Sequence, residues 1–311
     1  MRTRFDLGRI VNAAIRTIRE VQISIRDYII KNPGAAFDPA QLGRRGKPLL
    51  TIDLYAEVAT QLALYRRLER YNPYAIGEET LRDESLDLSV LSNLVVLMDM
   101  VDGTDLLERG LSNWCSALVF YFPPERRILA SFVGIPEDGV YFATEDMTEQ
   151  KQPLKRLFYG EPKERSVSGP SNIESLDSAS IAYYGQKINN FLSISSHQNF
   201  TSHLKSLNNP KTRIYNLAGN PMMMKLIDGH TKIDAVFDLE GQAPHDVVPG
   251  VYIAQKAGAV FCDLSGKSID LNQTYLGQQL WIHESAIFSH PRSNYRKSSA
   301  NVLPIRYRLS R

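Results

Sequence analysis

The sequence predicts a mixed α/β fold with antiparallel character in its first half. A long run near the start carries apolar residues on one helical stripe. Two β-rich segments, 114–122 and 128–135, are separated by "PPERR", the signature of a hairpin. Beyond residue 172, strand-like and helix-like segments alternate.

The helix comes first. Leu7, Val11, Ala14, Ile18, Val21, Ile25 and Tyr28 recur four and three apart, one face of an α-helix. "KNPG" at Lys31–Gly34 stops it. A Gly/Arg-rich loop, "QLGRRGKP", leads to a second amphipathic helix over about 53–70. Leu54, Val58, Leu62 and Tyr65 are its expected core face. "NPYAIGEET" reads as a short strand delivering Glu78 and Glu79, and Leu94–Met98 as a buried strand. "EDGV" is a further turn. Ile233–Leu239 reads as a strand, Val247–Ala257 as a helix ending at Gly258, and Ala259–Asp263 as a strand. The polar stretch 161–172, "EPKERSVSGPSN", is the expected boundary between an N-terminal α+β domain (1–165) and a C-terminal α/β domain (173–311).

Composition narrows the function. A net charge of +2 on 311 residues gives no global footprint for nucleic acid, so an anionic ligand needs a local site. The closing residues are basic without an acid, from Arg292 to Arg311, and read as a solvated tail. Two cysteines, Cys115 and Cys262, support neither a disulfide framework nor a zinc cluster, and a reducing cytoplasm is the expected location. Charges interrupt the N-terminal apolar positions, unlike a signal peptide, and no stretch approaches the roughly 18 apolar residues of a membrane helix.

The sharpest feature is "LVVLMDMVDGTDLLERG", residues 94–110. An ionised carboxylate at the end of a buried strand is costly unless paired, and Asp99 and Asp102 repel one another. A cation between them removes both problems. All-oxygen donors select Mg²⁺, Ca²⁺ or Mn²⁺ over zinc. Gly103 permits close backbone approach, and Thr104 offers a hydroxyl at a helix start, where free amides receive phosphate. Read singly, these residues also suit an Asx turn with Thr104 as helix cap; Glu78 suits a surface charge and Asp246 an N-cap. Together, four acidic groups at strand ends or helix starts, spread over both halves, describe a cleft metal site.

These elements resemble the inositol monophosphatase superfamily of Mg²⁺-dependent, lithium-sensitive phosphatases, which includes the archaeal-type fructose-1,6-bisphosphatases. The family's glutamate pair, its Asp-Pro-Ile-Asp-Gly-Thr and its Trp-Asp followed by Gly-Gly read here as "GEET", "DMVDGT" and "HD" at His245–Asp246, with Gly258 after eleven intervening residues. "GKPLLTIDLYAE" (46–57) resembles the segment that aligns Asp53 and Glu57. "AGNPMMMKLIDGHTKIDAVFD" (218–238) resembles another, in which Gly219 and Asp234 keep their spacing.

The resemblance implies a layered α-β-α-β-α sandwich, a homodimer, and hydrolysis of a small phosphomonoester such as inositol monophosphate or fructose 1,6-bisphosphate. It implies two or three Mg²⁺ ions. Glu78, Asp99 and the Val101 carbonyl would hold the first; Asp99, Asp102 and Asp246 the second; Glu78 would face a third. The Gly103 and Thr104 amides would hold phosphate, Thr104 would orient the attacking water, and Asp238 would lie on the substrate side. Departures are Met100 for proline, His245 for tryptophan, Asn216 for arginine and Asn220 for serine or threonine, the last two bearing on substrate choice. The alignment also sets Arg45 where the family's water-activating aspartate stands. An arginine there accepts no proton but can bind a second substrate phosphate. That departure raises an alternative: a catalytically impaired relative that binds a phosphorylated ligand or a partner.

Overall fold

A computed structural model gives the architecture. It describes residues 5–42, 48–77, 94–136, 138–147, 155–157, 164–167, 179–183, 202, 205, 211–217, 219–228, 233–238, 244–263, 267–271 and 285–288.

Helix α1 (Leu7–Lys31) starts at Asp6, whose side chain accepts the Arg9 amide at 3.0 Å, and ends at Asn32, whose amide returns to the Tyr28 carbonyl. Ile10, Ala14, Ile18, Val21 and Ile25 are its buried stripe, as the spacing predicts. A short hairpin, β1 (Pro39–Leu42) and β2 (Pro48–Leu50), leads into α2 (Thr51–Leu68). α2 corrects the sequence reading. Ile52, Ala56, Thr60, Ala63, Leu64 and Leu68 face inward, while Val58, Leu62 and Tyr65 stand exposed. Between Ile52 and Leu64 the inner face carries only the small Ala56, Thr60 and Ala63 besides Glu57, so the apolar spacing Val58, Leu62, Tyr65 marks the outer face.

A seven-stranded sheet runs in sequence order: β3 (Tyr74–Gly77), β4 (Val95–Asp102), β5 (Cys115–Phe122), β6 (Arg127–Ile135), β7 (Gly139–Thr144), β8 (Lys155–Leu157) and β9 (Glu164–Ser166). β3 and β4 are parallel and the other pairs antiparallel. The β5–β6 hairpin turns through Pro123–Glu125, with Arg126 in the left-handed region. Helix α3 (Thr104–Glu108) follows β4 directly.

The second sheet has five strands: β10 (Ser180–Tyr183), β11 (Arg213–Tyr215), β12 (Ala235–Asp238), β13 (Val260–Asp263) and β14 (Ser285–Phe288), ordered β11-β10-β12-β14-β13. Helices α4 (Asn220–Ile227) and α5 (Pro244–Lys256) lie between the two sheets. α5 begins three residues before its expected start, with Pro244 at its first turn, where a missing N–H costs nothing.

Burial resolves the layers. Leu94, Val96, Met98, Leu118, Phe120 and Phe132 pack under α1 and α2. Val95, Leu97, Ala117, Val119 and Tyr141 pack against α4 and α5, which in turn cover Val236 and Phe261 of the second sheet. The order is α-β-α-β. Most of the 161–172 boundary lies outside the described residues, and the α-β-α-β order is that of the described residues, without the fifth layer of the expected sandwich. The inter-sheet core draws on both halves of the chain.

A buried polar side chain reaches into this core from α1. Gln22 of α1 is buried, and its amide donates to the Gly134 carbonyl at 2.7 Å and to Ser116 Oγ at 3.2 Å. Gln22→Leu keeps the volume but leaves a buried carbonyl and hydroxyl short of a donor. We expect a loss of about 1–3 kcal/mol in urea unfolding.

Candidate active site

The site begins with an irregularity in β4. Asp99 pairs with Ala117 and Asp102 with Cys115, so three steps on β4 match two on β5: a one-residue bulge. Its effect is seen in the faces. Leu94, Val96, Met98, Met100 and Val101 all belong to the α1–α2 side, whereas Val95 and Leu97 belong to the α4–α5 side. Met100 and Val101 thus share a face, and Asp99 and Asp102 share the opposite one. A regular strand would send residues three apart to opposite faces.

Side chains replace the ladder bonds lost at the bulge. Asp99 Oδ1 accepts the Val101 amide at 3.0 Å. Ser116 Oγ donates to the Met100 carbonyl at 2.8 Å, and Ser116 is the group that Gln22 holds from behind. The Val101 carbonyl lies 2.8 Å from Thr104 Oγ1. Gly103 then turns the chain into α3 with φ of 99°, in the left-handed region.

Asp102 is gripped from the second half of the chain. Its Oδ2 accepts the Asn220 amide N–H and the Asn220 Nδ2, each at 3.0 Å, and the Cys115 thiol at 3.6 Å. Gly219, with φ of 80°, makes this approach possible: a Cβ there would stand 3.1 Å from Asp102 Oδ2. Asn220, expected on the substrate side, is fully enclosed. Its Oδ1 accepts the Gly250 amide of α5 at 2.7 Å. It therefore ties Asp102 to the helix that carries Asp246 in its first turn.

Burial raises the Asp102 carboxyl to about 7, with the neighbouring Asp246 charge adding to the shift and the Asn220 bonds opposing it. Burial and the three aspartates Asp102, Asp99 and Asp246 also push the Cys115 thiol well up, so it stays a donor. His245 is buried, with Nε2 3.4 Å from Asp246 Oδ1.

On the α2 side, Thr104 Oγ1 lies 2.7 Å from Asp53 Oδ1. This corrects the reading that put Arg45 opposite Thr104: the threonine has a carboxylate partner, from the first turn of α2. Asp53, Glu57, Met98, Asp99, Met100, Val101 and Thr104 line one cavity. Glu57 is buried one helical turn after Asp53, and its carboxyl fills the space where a Gly77 side chain would be, 2.5 Å from that position.

By sequence alone, no protein-family model and no curated protein matches the chain. The structure is similar to inositol monophosphatase II from Staphylococcus aureus (18% identity, TM-score 0.64, covering 94% of this chain and 93% of that one). This is the inositol monophosphatase fold. It is also similar to a dual-specificity inositol monophosphatase/NADP phosphatase solved with D-inositol-1-phosphate (16% identity, TM-score 0.64, 92% of each chain). A third similar structure is a Ca-bound inositol monophosphatase family protein from S. aureus (17% identity, TM-score 0.62, 92% of each chain).

Within this fold, Asp99, Val101, Asp102, Gly103, Thr104, Asn220 and Asp246 come from three chain segments to one region. Glu78 and Arg45 lie outside the described residues. Asp238 ends β12, where its backbone pairs with Ser285. Asp53 and Glu57 belong to the set although the sequence reading gave them no role. Their signal was present: two acids four apart at the start of a helix share one face. Among the described residues, no three His, Cys, Asp or Glu side chains stand close enough to hold a metal ion as they are. The donor chemistry nonetheless fits a hard cation: carboxylates of like charge converge on a buried place, and burial with the Asp246 charge raises the Asp102 carboxyl to about 7.

That shift gives a signed prediction. The unfolded chain ionises Asp102 near 3.8, whereas the fold holds the proton to about 7, so the folded state binds more protons in between. This group therefore subtracts stability as pH rises from about 4 to 7. Asp102→Asn should make the protein more stable than the parent at pH 8 in chelator, with a flatter pH profile, by urea titration. A carboxylate with a net structural role would give the opposite sign.

Proposed function

We propose that the protein is a metal-dependent phosphatase acting on a small phosphomonoester. The observation that carries this reading is the Thr104–Asp53 contact beside the Asp99–Asp102 bulge. The similar structures support it: one holds D-inositol-1-phosphate and another Ca²⁺.

Asp99, the Val101 carbonyl, Asp102 and Asp246, with Glu78, are the residues that would hold Mg²⁺. Bound there, the ions would supply Lewis-acid neutralisation of phosphoryl and leaving-group charge. The rest falls to the chain itself. Thr104 has one hydroxyl hydrogen and two acceptors in reach, the Val101 carbonyl and Asp53 Oδ1. When that hydrogen points to Asp53, the threonine oxygen is turned to accept a proton from water, and Asp53 is the base that receives the proton in relay. The Gly103 and Thr104 amides, at the start of α3, would receive phosphate oxygens. Asp238 would face the substrate's hydroxyl side, and Arg45 would suit a further anionic group. Asn220 acts on Asp102 rather than on substrate.

The carboxylate partner of Thr104 favours the phosphatase reading over the impaired-relative alternative, which rested on Arg45. The test is phosphate release from inositol 1-phosphate, fructose 1,6-bisphosphate, 3′-phosphoadenosine 5′-phosphate and NADP with Mg²⁺. Turnover of at least one is expected, and Asp53→Asn and Thr104→Ala should each lower kcat about 10²–10⁴-fold. No release from any substrate, or full activity in both variants, would defeat the proposal.

A further inference from the structure

On the α1 side of the large sheet, a chain of polar groups runs from Gln22 to Asp99. Gln22, Ser116 and Met100 are all buried. Ser116 stands on β5 between Cys115, which pairs with Asp102, and Ala117, which pairs with Asp99. It therefore lies opposite the extra residue of the bulge. Its partner on β6 is Gly134. Gln22 bonds both members of that pair, the Gly134 carbonyl at 2.7 Å and Ser116 Oγ at 3.2 Å.

Chemistry fixes the direction of each bond. A carbonyl can only accept, so the nitrogen of the Gln22 amide is the atom that faces Gly134. The same nitrogen has only hydrogens to offer Ser116, whose oxygen must accept. The one Ser116 hydroxyl hydrogen is then left for the Met100 carbonyl, 2.8 Å away. That carbonyl and the Val101 amide are two ends of one planar peptide group. The Val101 N–H donates in turn to Asp99 Oδ1 at 3.0 Å. The bonds thus run in one sense, from Gln22 through Ser116 and the 100–101 peptide to Asp99. In a buried series of this kind each bond polarises and strengthens the next.

The series ends where a cation would be held. Met100 and Val101 are paired with no residue of β5, so side chains orient the peptide between them. Rotation of that peptide would turn both the Asp99 carboxylate that bonds it and the Val101 carbonyl that follows it. On the metal-dependent reading of the site, on which this inference rests, we propose that Ser116 and Gln22 are positioning residues. From the face of the sheet opposite the carboxylates, they set the affinity for the metal by fixing the 100–101 peptide. Partners that orient metal ligands typically account for about 10–100-fold in affinity.

The test is Mn²⁺ binding to the full chain without substrate, read from the electron paramagnetic resonance of free Mn²⁺, with folding checked by circular dichroism. The parent should bind, and Asp99→Asn should bind far more weakly. Ser116→Ala should weaken binding about 10–100-fold. Gln22→Met removes the donor at similar side-chain length and should weaken binding by a smaller factor. The two effects should not add. Gln22 acts through Ser116, so the double variant should bind Mn²⁺ as Ser116→Ala does. Thr144→Val removes a buried hydroxyl from β7, three strands from β4, and should lower stability without moving Mn²⁺ affinity. Should Ser116→Ala not fold, Gln22→Met decides by itself. A parent that binds no Mn²⁺ overturns the metal-dependent reading and this proposal with it. A parent that binds Mn²⁺ through Asp99 but keeps its affinity in Ser116→Ala and Gln22→Met, or loses it additively in the double variant, overturns this proposal alone.

Discussion

Two carboxylates three residues apart cannot share a face of a regular β-strand, and the site depends on their doing so. One extra residue in β4 meets this constraint. The bulge turns Asp99 and Asp102 to the same side and leaves Met100 and Val101 together on the other. The cost is broken ladder pairing in a buried place, and each broken bond is taken over by a side chain with a second task. Asp99 caps the Val101 amide, Ser116 satisfies the Met100 carbonyl, and Thr104 reaches the Val101 carbonyl. The residues that hold the irregularity are those of the proposed site, or their immediate supports.

The rest of the architecture converges on that point from three directions. α2 lies on one side and brings Asp53 to Thr104. α4 arrives from the other, and Asn220 at its start spends its whole amide group on Asp102 and on the backbone of α5. α5 carries Asp246 close enough for its charge to be felt at Asp102. Behind the sheet, Gln22 braces Ser116 from α1. The central helical layer is therefore both the shared core of the two sheets and the means by which distant sequence reaches one place.

Much of this was legible in the sequence, unevenly. The periodicity of α1, the β5–β6 hairpin and the buried strand leading to Asp99 followed from patterns that burial writes directly, although β4 continues to Asp102, past the expected end at Met98. The acidic residues stood out only as a set: singly each suits a turn, a cap or a surface charge, and together they gather at strand ends and helix starts. α2 was misread because the middle of its buried side, between Ile52 and Leu64, is made of the small Ala56, Thr60 and Ala63, while Val58, Leu62 and Tyr65 face out. Asp53 was passed over for a related reason: a helix-start acid has a ready explanation in capping, and only the fold sets it against Thr104. The bulge itself leaves no mark in composition, since inserting one residue into a strand changes parity and nothing else.

The place of Asn220 has one more consequence, in the chemistry of ageing. Asparagine decays when its side-chain carbon is attacked by the backbone nitrogen of the following residue, closing a ring that opens to aspartate. Here that change would set a further negative charge against Asp102 and remove the donor it relies on. The following residue is Pro221, whose ring nitrogen carries no hydrogen to lose. The residue that clips the two halves of the site together is therefore shielded, by its neighbour in the chain, from the reaction most able to undo it.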